Sequence, residues 1–397
     1  MKKRTIKTTG AAMLTMTMLM NGTAVFAAGS NYTGVKGTTT TFDKYLVMDA
    51  DANVPNASFT YAITLGTAKE YSVDNKKFQV LAGVGTPTLT DEDTETEGNQ
   101  LVFTTNDSTY NAQQSGDQVK NFPTDQSKKY AKKTSTVDFS GCTFTEPGIY
   151  RYVITETGTN QGVTNDTADK RYLDVYVTDD NGTLKVSSYV LHAIDSVVGM
   201  NDSQGSDGND KDDSKSQGFT NSYDTSDLTF RKEVAGNQAS HDKYFEFTVK
   251  ITDAVAGTVY DVDVTNADET SGTNNATIKD NADKENVKKL TVGQDGTVTQ
   301  KFYLQHGQEI KIEGIAKDTK YDVTENKEDY KSTAAGVKGY KDAVNGTIES
   351  TDLKTSYLNT RAGVIPTGVI MTVAPFAAVT LLGAAGMVKI KMGKKRE

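Results

Sequence analysis

Short runs of alternating apolar and polar residues mark most of this chain. Phe59-Thr60-Tyr61-Ala62-Ile63 alternates, as do Tyr150-Arg151-Tyr152-Val153-Ile154 and Tyr172-Leu173-Asp174-Val175-Tyr176-Val177. Tyr244-Phe245-Glu246-Phe247-Thr248-Val249 and Lys311-Ile312-Glu313 repeat the pattern further on. A period of two sends successive side chains to opposite faces of a strand. Gly, Asn and Asp interrupt the runs, and no helical period is sustained. The pattern predicts an all-β chain of sandwich type. Residues 201–218, "NDSQGSDGNDKDDSKSQG", hold almost no apolar side chain and predict a solvated loop.

The strand pattern also repeats at a larger scale. "TFDKYLV" opens one unit, "YRYVITE" comes late in it and "GFTNSY" closes it. "LTFRKEV" opens a second, "KYDVTE" comes late and "SYLNT" closes it. Each unit therefore carries a Lys, then a Glu, then an Asn: Lys44, Glu156 and Asn221, followed by Lys232, Glu325 and Asn359. Parity puts Lys232 on the face of Leu228, Phe230 and Val234, Glu325 with Tyr321 and Val323, and Glu156 with Tyr150, Tyr152 and Ile154. Asn221 goes with Phe219 and Tyr223, and Asn359 with Tyr357. Lys44 is ambiguous, because Phe42 and Leu46 share its face while Tyr45 and Val47 occupy the other.

A single such residue reads as a snorkelling lysine or a surface glutamate. Two ordered triplets aimed at apolar faces point to chemistry, because an unpaired buried charge is costly. A Lys amine can attack an Asn carboxamide carbon and expel ammonia, leaving an isopeptide bond. Desolvation favours the neutral amine and a protonated Glu, which is expected to donate to the amide oxygen and relay protons. Close aromatic packing supplies proximity.

The ends of the chain set the compartment. Met1-Lys2-Lys3-Arg4, the apolar stretch Ala11 to Met20 and Val25-Phe26-Ala27 read as a secretory signal over residues 1–27. Val369 to Val388 carries no charge and is long enough to cross a bilayer, and Lys389, Lys391, Lys394, Lys395 and Arg396 follow on the side that stays cytoplasmic. The expected organisation is a signal peptide (1–27), a first sandwich (28–223), a second sandwich (224–361), a short segment holding Pro366-Thr367-Gly368 (362–368), a transmembrane segment (369–388) and a basic tail (389–397).

Composition removes several classes. The chain has 397 residues and a formal net charge of -9, so no run of phosphates is neutralised and no nucleic-acid partner is expected. Its one cysteine, Cys142, excludes an internal disulfide and reads as a small core residue. His192, His241 and His306 lie far apart in sequence, and neither zinc-ligand spacing nor a cofactor motif is present. No nucleophile or phosphate motif supports an enzyme acting on external substrates.

Ile365-Pro366-Thr367-Gly368, before an apolar segment and a basic tail, resembles the sorting signal of Gram-positive surface proteins. That resemblance implies cleavage by a sortase between Thr367 and Gly368. Pro366 directly precedes Thr367, unlike the commonest Leu-Pro-x-Thr-Gly form, which implies a dedicated pilin sortase. With "FDKYL", "GIYRYVITE", "FTNSYDTSDLTFRKEVAGN", "YDVTE" and "LNTRAGVIPTGVIMTVAPF", the mature chain resembles the backbone pilins of sortase-assembled Gram-positive pili, the streptococcal-type isopeptide-linkage family.

The family implies two tandem immunoglobulin-like sandwiches, each with a first-strand Lys bonded to a last-strand Asn beside a Glu. It implies bonds Lys44–Asn221 and Lys232–Asn359, assisted by Glu156 and Glu325. It also implies an acceptor lysine for the next subunit a few residues before Asn221, with Lys215 the nearer match and Lys211 the alternative. Implied partners are a pilin sortase, further copies of the chain, minor pilins, cell-wall peptidoglycan and a host surface, at the cell surface. A wall-anchored adhesin or minor pilin binding a host ligand is the alternative reading. The segment Asp74 to Lys133 has no expected counterpart.

Overall fold

The computed structural model describes residues 32–73, 76–91, 96–197, 215–266 and 286–363, and every regular element among them is a strand. The signal peptide, Lys211, Ile365 to Gly368, the apolar segment and the basic tail lie outside the described residues. Among the described residues no helix is long and apolar enough to cross a membrane.

Eight strands of the first unit matter here: β1 (Thr39–Asp49), β2 (Ala57–Leu65), β3 (Lys128–Asp138), β4 (Gly148–Thr157), β5 (Val163–Thr164), β6 (Lys170–Asp180), β7 (Thr183–His192) and β8 (Gly218–Tyr223). One sheet runs β5-β8-β1-β3 and continues into short edge strands, and the facing sheet runs β7-β6-β4-β2. Phe42, Leu46, Phe59, Tyr61, Tyr150, Tyr152, Ile154 and Phe219 fill the space between them. Cys142 is a buried member of the same core.

The second unit is built alike from β9 (Thr225–Ala235), β10 (Phe245–Thr252), β11 (Val259–Asn266), β12 (Val298–Leu304), β13 (Gln308–Ala316), β14 (Lys320–Glu325), β15 (Lys331–Ala334) and β16 (Leu353–Thr360). One sheet contains β11-β13-β9-β16-β15 and the other β12-β10-β14. Leu228, Phe230, Val234, Phe247, Ile310, Ile312 and Val323 form its core.

In both units the first and last strands are parallel neighbours: β1 beside β8 and β9 beside β16. Parallel neighbours require a long crossover, and here the crossover is the whole remainder of the unit. This pairing brings residues distant in sequence side by side.

The ambiguity at Lys44 resolves through the segment without an expected counterpart. Residues between β2 and β3 lay Val119 and Phe122 over the outer face of the first sheet, where they pack on Tyr45 and Tyr130. Tyr45 is therefore buried outside the sandwich, and Lys44 is buried inside it with Phe42 and Leu46. A one-layer reading of parity fails where both faces of a strand are covered.

The units also touch. Asn53 Nδ2 donates to Val259 O (3.1 Å) and Asp261 Oδ2 (2.7 Å), Asn56 Nδ2 donates to Ala256 O (2.9 Å), and Ala316 joins the first core. Gly314 sits at this contact with φ +66°, where a Cβ would come within 2.7 Å of Ala52 Cα. Both the left-handed backbone and the close approach call for glycine.

Candidate functional site

β1 aligns Lys44 with Phe219 of β8, so Asn221 sits two positions further along the neighbouring strand. β9 aligns Lys232 with Tyr357 of β16, and Asn359 again sits two positions on. Residues two apart on one strand share a face, so each Asn lies diagonally beside its Lys and points into the same core. The Glu comes from the facing sheet. Glu156 of β4 is paired across the ladder with Tyr61 of β2, and Glu325 of β14 with Phe247 of β10.

The side chains meet. Lys44 Nζ donates to Glu156 Oε2 at 2.7 Å, and Asn221 Nδ2 donates to Glu156 Oε1 at 2.5 Å. Lys232 Nζ lies 2.5 Å from Glu325 Oε1, close enough for an ion pair though off the direction of a good hydrogen bond. Asn359 Nδ2 donates to the same Oε1 at 3.0 Å. Lys44, Lys232 and Asn359 are each 0% exposed, and Asn221 is 1% exposed. Both predicted triplets are thus assembled around one carboxylate each.

Burial lowers the Lys44 amine to about 8 against the opposing pull of Glu156, and burial lowers Lys232 to about 8 against Glu325. The amines also lie over aromatic rings, Lys44 Nζ at 4.2 Å from the centroid of Phe59 and Lys232 Nζ at 4.3 Å from that of Phe245. Phe59 and Phe245 precede Tyr61 and Phe247 by two residues on equivalent strands. The aromatic-x-aromatic pairs in "SFTYA" and "YFEFT" carried that signal in the sequence.

One expected contact is different. Glu156 and Glu325 face the nitrogens of the two carboxamides, not their oxygens. At Asn221 the oxygen is turned away because the Asp166 backbone N–H donates to Oδ1 at 2.9 Å, while Asn165 Oδ1 accepts from Nδ2 at 3.1 Å. An N–H can face only the carbonyl end of an amide. Tyr61 OH completes the first site with a 3.3 Å bond to Glu156 Oε2, and Ser332 Oγ donates to Glu325 Oε2 at 2.8 Å in the second.

A half-buried lysine beside carboxylates has a different character. Lys132 lies between Asp43 (2.9 Å) and Asp117 (2.8 Å) on the outer face. Burial lowers its amine, but the hydrogen bonds it donates to Asp117 and Asp43 outweigh that and hold it above the ordinary lysine value. Two carboxylates and partial solvation keep Lys132 charged, so it reads as an ion pair and not as a nucleophile.

Lys215 is exposed, and its backbone bridges to His192 at the end of β7. His241 and His306 do not stay apart: their rings stack with centroids 4.0 Å apart. Among the described residues no group of three His, Cys, Asp or Glu side chains could hold a metal ion.

Comparison with known proteins finds related domains and pilins. Residues 80–224 match the Spy0128-like isopeptide containing domain, and residues 226–361 match a domain of unknown function, DUF7601. A curated protein, "Pilin" of Streptococcus pyogenes serotype M1, is 26% identical over 413 residues, covering 97% of this chain and 97% of its own length. The crystal structure of the major pilin from Streptococcus pyogenes shares the fold, with a TM-score of 0.50 and 20% identity over 83% of this chain and 100% of that one. The two tandem sandwiches, the isopeptide-domain match and the end-to-end pilin relative together support the resemblance of this chain to the streptococcal-type backbone pilins.

Proposed function

We propose that the chain is the shaft subunit of a covalently polymerised Gram-positive pilus, stiffened by two self-formed bonds, Lys44–Asn221 and Lys232–Asn359. The observation that carries this is the repeated geometry: in both units Lys, Glu and Asn are buried together with the same two-residue offset between parallel strands. Transfer of a proton from Lys to Glu frees the amine lone pair. The amine attacks Cγ of the asparagine, Glu returns its proton to Nδ2 and takes one from the attacking nitrogen, the C–Nδ2 bond breaks, and Nδ2 leaves as ammonia. Each reaction happens once and consumes its own side chains, so the protein turns over no external substrate.

Polymerisation falls to a pilin sortase, which cleaves after Thr367 and passes its carbonyl to the amine of Lys215 on the next copy, with Lys211 the alternative acceptor. The base of the fibre joins peptidoglycan, and minor pilins join the same polymer. The precursor is held at the membrane by residues 369–388 until that cut.

The test is a blot of wall extracts from cells producing wild-type or Lys215→Ala protein, together with mass spectrometry of the monomer. The expected result is a high-mass ladder lost in the variant, with a wild-type monomer lighter than its cleaved sequence by two ammonia molecules. A single wall-linked band for the wild type indicates a wall-anchored adhesin or minor pilin instead. A ladder that survives Lys215→Ala moves the joint to Lys211 or elsewhere.

A further inference from the structure

The first site contains two groups that the Lys–Glu–Asn chemistry does not require and the second site lacks. β5 pairs with β8 through Val163 with Tyr223 and Thr164 with Ser222, which carries the next residues, Asn165 and Asp166, alongside Asn221. There the Asp166 N–H holds Asn221 Oδ1 at 2.9 Å, and Asn165 Oδ1 holds Nδ2 at 3.1 Å. Both contacts are themselves supported. Asn165 Nδ2 donates to Gly158 O at 2.9 Å, which fixes the side chain with its oxygen toward Asn221. Asp166 Oδ2 accepts from Arg171 Nη2 at 2.6 Å and from the Thr220 N–H at 3.1 Å, and Oδ1 accepts from the Ala168 N–H at 3.2 Å. Burial opposes ionisation of Asp166, but these donors outweigh it and hold its carboxyl below the ordinary aspartate value. Arg171 is anchored in turn on Gly218 O at 2.7 Å and lies over Phe219.

We infer that Asn165 and the backbone N–H of Asp166 form a carboxamide clamp that accelerates closure of the Lys44–Asn221 bond. Attack by Lys44 Nζ turns the Asn221 carbonyl oxygen into an oxyanion. The Asp166 N–H already lies within the 2.7–3.1 Å range in which such a donor stabilises that charge. The departing nitrogen gains its proton through Glu156 while Asn165 Oδ1 keeps it turned away from the incoming amine. No atom is added: one amine and one carboxamide become one secondary amide and ammonia. In the second unit the corresponding oxygen, Asn359 Oδ1, is buried with no hydrogen-bond partner among the described residues, and Ser332, opposite Asn359 on β15, binds Glu325.

This inference rests on the reading that Lys44 and Asn221 react, and the second site provides a clock inside the same molecule. Full-length chain is pulse-labelled in cells, quenched at intervals in acid and denaturant, and digested. Mass spectrometry then follows the cross-linked 44–221 peptide against the cross-linked 232–359 peptide. Asn165→Ala is expected to slow the first relative to the second by roughly fivefold, the value of one modest hydrogen bond. Asn165→Asp, which retains an acceptor oxygen, is expected to recover part of the rate. Asp166→Pro, which removes the N–H, is expected to slow closure by about 100-fold, with protease resistance reporting that the first unit is folded. A merely structural role would lower protease resistance without changing the rate ratio in folded molecules. A wild-type ratio in Asn165→Ala overturns the clamp, as does a folded Asp166→Pro that closes at the wild-type rate. Wild-type protein that forms neither peptide removes the Lys–Asn chemistry itself, and the clamp with it.

Discussion

The two sites use the same three residues at the same strand offset, yet they are wired differently. In the first, Glu156 divides its oxygens, one to Lys44 and one to Asn221. In the second, Lys232 and Asn359 converge on one oxygen of Glu325, and Ser332 takes the other. The first amide is gripped at oxygen and nitrogen, whereas the second is gripped at nitrogen alone. The lysines, by contrast, are matched: each is fully buried, lies over a phenylalanine ring and is lowered to about 8 by burial. The invariant part of the design is the desolvated amine beside a carboxylate. The variable part is how the amide is held.

The largest effects should come from removing the shared part. Glu156→Ala and Glu325→Ala are each expected to abolish only their own bond, leaving each variant lighter than its own sequence mass by one ammonia where the wild type is lighter by two. Cross-links closing loops of about 180 and about 130 residues remove roughly 5 kcal/mol of unfolded-state freedom each, so either variant should melt well below the wild type in calorimetry. A Glu156→Ala protein that is still two ammonia molecules lighter than its own sequence mass would refute the role of that carboxylate.

The matched lysines predict matched pH profiles. Closure at either site needs a neutral amine, so both rates should rise about tenfold per unit between pH 6 and 7 and level off above about pH 8. Quenched refolding of reduced-pH precursor, read by peptide mass, checks this. A plateau already reached at pH 6 would contradict the burial argument.

Stability of the unreacted chain gives a third comparison. Asn221→Ala and Asn359→Ala each leave one lysine unconsumed beside its Glu. With the folded value near 8 and the ordinary value 10.5, the unfolded chain binds more protons between those limits. Stability should therefore rise with pH across that window in denaturant titrations. The wild type, with both lysines consumed by the proposed bonds, should lack the rise; finding it there would mean the bonds had not formed.

The smallest expected effect separates the two Glu environments. Ser332→Ala removes one hydrogen bond from Glu325 and should cost about 1 kcal/mol, with slower closure of the second bond and no change in the first. Equal slowing of both bonds would show that Ser332 acts through general stability.

Much of this was legible before any coordinates. The alternation gave the strands, and parity sent Lys232, Glu156, Glu325, Asn221 and Asn359 inward, where they lie. Lys44 resisted because Val119 and Phe122 cover what would otherwise be a solvent face. Asn165 and Ser332 were invisible because they act from edge strands whose pairing depends on tertiary packing. The Asp166 donor had no signature at all, since every non-proline residue carries an N–H. The orientation of the Asn221 amide was misjudged for the same reason: a backbone donor decided which end faced the glutamate.

The parallel pairing of first and last strands has a mechanical meaning. In a fibre joined from Thr367 of one copy to Lys215 of the next, tension enters each subunit at Lys215 and leaves through Thr367. It follows the main chain through β8 into β9, crosses from Lys232 to Asn359 and exits along the end of β16. Everything between Glu233 and Leu358 lies off that route, so the second sandwich cannot be unravelled without breaking a covalent bond. The proposed Lys44–Asn221 bond lies beside the route and not along it. It fastens the loaded strand β8 sideways to β1, as a rivet holds a strap to a plate. Cutting the second bond should make the fibre extensible, whereas cutting the first should let β8 peel while the shaft keeps its length.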